Sequence, residues 1–284
     1  MAVKGLFIGI TSIDIVYNSS QPLPEENEKI IINDFDMKIG GPAAKAAITC
    51  AELGGDAALI TCLGDSMLAQ SVKSQIESYS IKVYDLGEGR INTPNISCVY
   101  VREDKESRTI ISGINKLDSD SFNPAYITKD FDYCLYDCNL INLTPNITST
   151  LEDNNIPLVL DCGNWKANIE DALLYSDIAI SSAYFQSPEK KNIFDLSKTY
   201  NINNTAITRD GDSILYNYEA KKGEIPVDRV ENCNTSGAGD VLHGAFCYYY
   251  YHEKNGYVKA LTNASKYATN YIKKPGSRYV PNQV

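Results

Sequence analysis

The chain has 284 residues, 43% of them apolar and 22% charged, the balance of a globular protein long enough to bury a substantial core. A formal net charge of −10 disfavours non-specific binding to nucleic acid or to an anionic membrane surface, and it obliges any phosphate-bearing ligand to be held by local donors. No apolar run approaches the length of a membrane span, and a strand-like segment begins within the first residues, so a cytoplasmic protein is expected.

Eight cysteines are scattered, mostly inside apolar runs, without paired short spacings. They read as reduced core thiols, and the lack of a histidine beside Cys134 and Cys138 argues against a zinc site.

In chain order, residues 5–10 read as a buried strand. Asp14 follows inside an apolar stretch, where a lone charge is costly, so it is expected to have a partner. The G-x-G-x-x-G fingerprint is absent there, which counts against a dinucleotide-binding oxidoreductase. Residues 27–37, containing Ile30, Ile31 and Ile32, alternate well enough for a strand or hairpin. Gly40-Gly41-Pro42 opens a helix that Gly54 ends, the usual asymmetry of proline at the start and glycine past the end. Residues 56–65 read as strand and turn, and 66–79 as helix. Three β-rich runs follow at 82–86, 95–102 and 108–112, and with 27–37 they predict a small antiparallel sheet.

From residue 131 strands and helices alternate. Strands are expected near 133–136, 157–160, 178–180 and 205–208, and helices near 148–153, 169–175 and 189–200. That rhythm predicts a parallel sheet covered by helices on both faces, with ligands beyond the strand C-termini. The strand ends carry Asp137 with Asn139, Asp161 to Lys166, Ser181-Ser182, and Thr208 to Gly211. Strands near 213–218 and 224–227 come next. A last helix is expected over 257–272, and the tyrosines at 248–251 read as helix packing.

Between those last strands and that helix lies Asn234-Thr235-Ser236-Gly237-Ala238-Gly239-Asp240, followed by apolar residues at 241, 242, 245, 246 and 249. A glycine-rich loop therefore opens a buried helix. The first turn of a helix carries unpaired N–H groups and partial positive charge, so this junction is an anion site. A carboxylate at Asp240 would repel a phosphate and needs another task, taking the proton from an attacking hydroxyl.

This string resembles the D-T-x-G-A-G-D signature of the ribokinase-type (PfkB) carbohydrate kinases, with Asn234 in place of the first Asp. The resemblance implies an α/β, ribokinase-like doubly wound fold: a mainly parallel sheet with helices on both faces and a small β-sheet lid. The whole of 1–284 would be one kinase domain, with lid strands near 27–37 and 95–112 that can clasp a second copy into a homodimer. It implies ATP-dependent phosphorylation of a hydroxyl on a small sugar, with Mg2+ and a monovalent cation as expected cofactors and no nucleic-acid or membrane partner. Asp240 is then the catalytic base, and the Gly237, Ala238 and Gly239 backbone the anion hole. The helix N-terminus is expected to lower the pKa of Asp240. Sugar binding falls to Asp14, Gly40, Gly41, Lys45 and Asn139, and Arg108 on a lid strand either touches substrate or is solvated. Nucleotide binding falls to Ser182, Thr208, Arg209, Gly211, Gly237 and Gly239, while Lys166 either supplies charge nearby or is an exposed lysine. No metal ligand is assigned.

Several positions depart from the family pattern. Lys45 replaces an Asn that faces the sugar; it either pairs with Asp14 or neutralises an anionic substrate. Asp210 replaces a glycine of the nucleotide turn. Ser182-Ala183-Tyr184-Phe185 replaces an Asn-x-x-Glu that orders magnesium and phosphate. Pro275-Gly276-Ser277-Arg278 resembles the loop closing a nucleotide or cation site. A nucleoside kinase of the same fold, and a catalytically silent sugar- or nucleotide-binding protein, remain as alternatives.

Overall fold

In the computed structural model, residues 2–105, 107–219, 221–230 and 235–273 are described. The first half comprises β1 (Lys4–Ile8), β2 (Ser12–Ser19), β3 (Phe35–Gly40), α1 (Pro42–Glu52), β4 (Asp56–Thr61), α2 (Met67–Glu77), β5 (Lys82–Asp85), β6 (Asn95–Arg102) and β7 (Ser107–Gly113). The second comprises β8 (Tyr133–Tyr136), α3 (Thr144–Asp153), β9 (Leu158–Cys162), α4 (Ile169–Leu174), β10 (Ile178–Ser182), α5 (Ile193–Tyr200), β11 (Asn204–Arg209), β12 (Asp212–Tyr218), β13 (Lys221–Ile225), α6 (Ala238–Cys247) and α7 (Tyr257–Lys273).

Nine strands form the main sheet, in the order β13-β12-β11-β10-β9-β8-β1-β4-β5. From β11 to β5 the pairs are parallel; β12 and β13 add an antiparallel edge. The central strands are continuously apolar because both faces are covered. On β1, Phe7 packs into the core beneath α1, α2, α6 and α7, while Leu6 and Ile8 pack into the core formed with α3, α4 and α5. Helix starts follow local chemistry: Ser66 caps α2 by accepting from the Ala69 N–H, and Asn192 with Asp195 makes a reciprocal capping box on α5. That box starts α5 at Ile193 rather than near 189.

The small sheet has the order β3-β2-β6-β7. It departs from expectation in three ways. Its first strand is β3, at Phe35–Gly40, and residues 20–34 contain no strand; Ile31 is 74% exposed. Only the residues nearer Gly40 find β2 to pair with, from Ser12↔Gly40 to Tyr17↔Phe35. The run at 82–86 belongs instead to the main sheet as β5. There Asp85 is buried and accepts from the N–H groups of Leu63, Gly64 and Gly87, which locks the strand to the neighbouring turn. Finally, β2 supplies the fourth strand and runs parallel to β6, so the sheet is mixed rather than antiparallel.

The tyrosine run packs as expected: Phe246 stacks on Tyr250, and Tyr133 on Tyr251 with centroids 4.1 Å apart. Among the described residues no helix is long and apolar enough to cross a membrane. Asn234 and the segment 275–278 lie outside the described residues.

Candidate active site

Three charged side chains from three elements converge beyond the C-terminal ends of the main strands. Lys45 of α1 places its ammonium 3.5 Å from Asp14 Oδ2 of β2 and 3.8 Å from Asp240 Oδ2 of α6. α6 crosses α1 where Gly244 faces the Ala46 carbonyl, which brings the first turn of α6 beside Lys45. The Asp14 carboxylate accepts from Ser12 Oγ at 2.8 Å and lies over Gly40, where a Cβ would collide with it. Gly41 forms the N-terminal boundary of α1, with Pro42 in its first turn.

Burial works against the charge on Lys45, but the carboxylates of Asp240 and Asp14 outweigh it, and its pKa is raised. The expected lowering at Asp240 is not what the structure gives. Burial pushes its carboxyl up to about 6; Lys45 offsets part of that, and Asp161 pushes the same way. Desolvation outweighs the helix terminus here because the carboxylate faces protein on most sides, its side chain being 21% exposed.

On the far side of Asp240 lies a cavity of about 350 Å³. Gly237, Ala238, Gly239 and Asp240 line it, together with Thr235, Ser182, Tyr184, Thr208, Asp210, Gly211 and the α7 residues Ser265, Ala268 and Thr269. Gly237 adopts φ +81°, a left-handed conformation that turns the chain into α6, and a Cβ there would sit 3.2 Å from the Lys45 ammonium. At Gly239 nothing lies within 4 Å of a Cβ position, so the backbone is open to the cavity. The Ala238 N–H donates to Thr235 O, which leaves anion binding to the next N–H groups of the first turn.

That arrangement fits a nucleotide's phosphates. Among the described residues no group of three or more His, Cys, Asp or Glu side chains could hold a metal. Ser182 Oγ donates to Gly163 O at 2.6 Å, and Phe185 is fully buried. A magnesium ion would therefore rely mainly on phosphate oxygens and water, as this ion commonly does.

The other anticipated residues divide. Thr208, Gly211 and Ser182 line the cavity, as does Arg108, reaching it from β7 of the lid. Arg209 does not; its Nε donates to Ser213 O, bracing the β11–β12 turn. Lys166 also lies outside the cavity lining, with its ammonium 3.1 Å from Asp137 O. Asn139 donates its N–H to Asp137 Oδ1, a turn contact at the end of β8.

Asp137 is a residue whose part the sequence did not disclose. Its carboxylate accepts from the N–H groups of Ile10 and Ala43, joining the β1–β2 connection to the start of α1, and burial raises it to about 6 against the opposing charge of Lys166. Tyr184 was named only as part of the altered 182–185 stretch, without the contact its hydroxyl makes to Asp210, and the polar face of α7 was unmarked. Their signal is spatial, with nothing in the local sequence to distinguish them.

Residues 4–134 match the profile of the pfkB family carbohydrate kinases. The deoxyribokinase of Salmonella typhi is 21% identical over 270 residues, covering 86% of this chain and 84% of that protein. The fold is that of the ribokinase from Thermotoga maritima, with a TM-score of 0.80 at 18% identity over 98% of this chain and 95% of that one. It is also that of the adenosine kinase from Sinorhizobium meliloti, with a TM-score of 0.78 at 16% identity over 98% and 96% of the two chains. With the profile match over residues 4–134, a relative 21% identical along most of its length and the same fold throughout, the chain is similar to the PfkB family of carbohydrate kinases.

Proposed function

We propose that the protein phosphorylates a hydroxyl of a small sugar or sugar derivative with ATP, Asp240 accepting the hydroxyl proton. The observation that carries this is the convergence of Asp14 and Asp240 on the Lys45 ammonium beside a cavity floored by a helix N-terminus. Asp14 accepts from substrate hydroxyls and orients them. Asp240 stands between the Asp14–Lys45 pair on one side and the cavity on the other, where it would meet a substrate hydroxyl. The first-turn N–H groups after Ala238 hold the transferring phosphate, and magnesium carried by the nucleotide would supply neutralising charge on its oxygens. A carboxylate base suffices because a loose phosphoryl-transfer transition state lets the proton leave late.

A coupled ADP-release assay across neutral sugars, acidic sugars and nucleosides tests this reading. Turnover of nucleosides alone would favour the nucleoside-kinase alternative. No turnover of any acceptor, with ATP still bound, would favour a silent binding protein.

We assign Arg108 to the phosphate side. Among the described residues lining the cavity it is the one cation, sharing that lining with Asp210, Asp228 and Asp240. Arg108→Ala should lower kcat/KM for ATP by about 10- to 100-fold, the worth of a charge-assisted hydrogen bond. Steady-state kinetics with unchanged ATP parameters would assign Arg108 to solvent instead.

The lid supports a homodimer. Met37, Ile15, Cys98 and Ile111 are successive cross-strand partners on the sheet face opposite Asp14, and Met37 and Ile111 are 52% and 70% exposed. Such a row, with exposed Phe35 beside it, is an apolar stripe that a second copy would cover. Ile111→Lys should convert a dimer to a monomer in sedimentation; a parent chain that already sediments as a monomer would refute the clasp.

A further inference from the structure

His243 lies in the second turn of α6, nearly fully buried, and phosphoryl transfer as derived above leaves it without a task. Both ring nitrogens face oxygen. Nδ1 lies 2.8 Å from the Gly239 carbonyl of its own helix; Nε2 lies 3.3 Å from the Ile180 carbonyl of β10 and 3.7 Å from Asp161 Oδ1 of β9. A neutral imidazole has one N–H and one lone pair, so on one side it would set that lone pair against a carbonyl oxygen. A ring protonated on both nitrogens donates on both sides. The charged groups around it are Asp161 on β9 and Asp240 on its own helix, with Lys45 of α1 beyond Asp240, while β10 offers only the backbone carbonyl.

We propose that His243 is a positioning residue: a doubly protonated ring that clamps the first turn of α6 to the ends of β9 and β10. Through the Gly239 carbonyl it sets where the Gly237–Gly239 backbone and Asp240 stand relative to the strand ends, and Asp161 is its counter-charge. The clamp also adds a positive charge to a strand-end cluster in which Asp14, Asp137, Asp161 and Asp240 outnumber Lys45 and Lys166. This rests on the reading of Asp240 as the base, but the ring's protonation can be read without any turnover.

The chain has two histidines, His243 and His252, so long-range proton–nitrogen spectra of the 15N-labelled protein resolve two rings. The signal retained in His252→Gln is that of His243. At pH 7.5 it should show both nitrogens protonated; one lone-pair nitrogen overturns the proposal. In Asp161→Asn the Nε2 signal of His243 should change, and an unchanged spectrum removes Asp161 from the clamp. His243→Asn should lower kcat by about tenfold or more through misplacement of Asp240, with the KM for sugar little altered. An unchanged kcat in both His243→Asn and Asp161→Asn overturns the positioning role, whatever the spectrum shows. Absence of kinase activity in the parent, with the spectrum as expected, would instead count against the reading of Asp240.

Discussion

Asp240→Asn should lower turnover by at least about 10²–10⁴-fold, the contribution of a positioned general base, while ATP remains bound. The amide keeps the shape of the first turn and its N–H groups, so binding measured by calorimetry separates the base from the anion site. A variant with near-parental turnover would remove Asp240 from the mechanism. The same residue sets a pH dependence. A base must be ionised to act, and burial holds the Asp240 carboxyl at about 6, so kcat/KM should be full above that value and fall as pH drops through it. Asp137 is raised to a similar value, so the limb belongs to Asp240 only if the residual activity of Asp240→Asn lacks it. Stability runs the other way. A carboxyl whose folded pKa exceeds its unfolded value of about 3.9 favours folding fully below that value, and the benefit is lost as pH rises through about 6. Asp240→Asn should therefore melt higher than the parent at pH 8, with the difference shrinking towards pH 5.

Lys45→Met should be the more damaging change to the fold. It leaves Asp14 and Asp240 facing each other without the ammonium that lies within 4 Å of both. Removing one partner of a buried ion pair typically costs about 3–5 kcal/mol, which urea unfolding would register. Lys45 also lowers the Asp240 pKa, so in Lys45→Asn the acid limb of kcat/KM should move to higher pH. This substitution further separates the two readings of Lys45. Its engagement by two carboxylates supports the pairing explanation, under which acidic and neutral sugars lose activity alike. Selective loss of an acidic sugar, by roughly 1.5–3 kcal/mol, would favour an anionic substrate. A limb that stays in place would show that Lys45 does not act on Asp240.

Much of the architecture was legible because it is written in local pattern. The change from polar, glycine-rich residues to helical apolar spacing after Gly237 marks the glycine-rich loop and α6 without reference to anything distant. The alternation of short apolar strands with helices after residue 131 likewise predicts a parallel sheet, since strands buried on both faces cannot alternate in polarity. Strand membership was not legible. β5 and the isoleucines at 30–32 have similar β character, yet one joins the main sheet and the other joins none, because pairing depends on which neighbour arrives from far along the chain. The chemistry of the site was still less so. Asp14, Lys45 and Asp240 each stand out in the sequence, and a Lys45–Asp14 pair is one reading it allows, but only the crossing of α1 with α6 brings Asp240 to the same ammonium. The raised pKa of Asp240 has the same origin. By itself the sequence determined a helix N-terminus carrying an aspartate at the end of an α/β chain; the tertiary structure decided what surrounds that carboxylate, because desolvation and ion pairing are properties of neighbours in space.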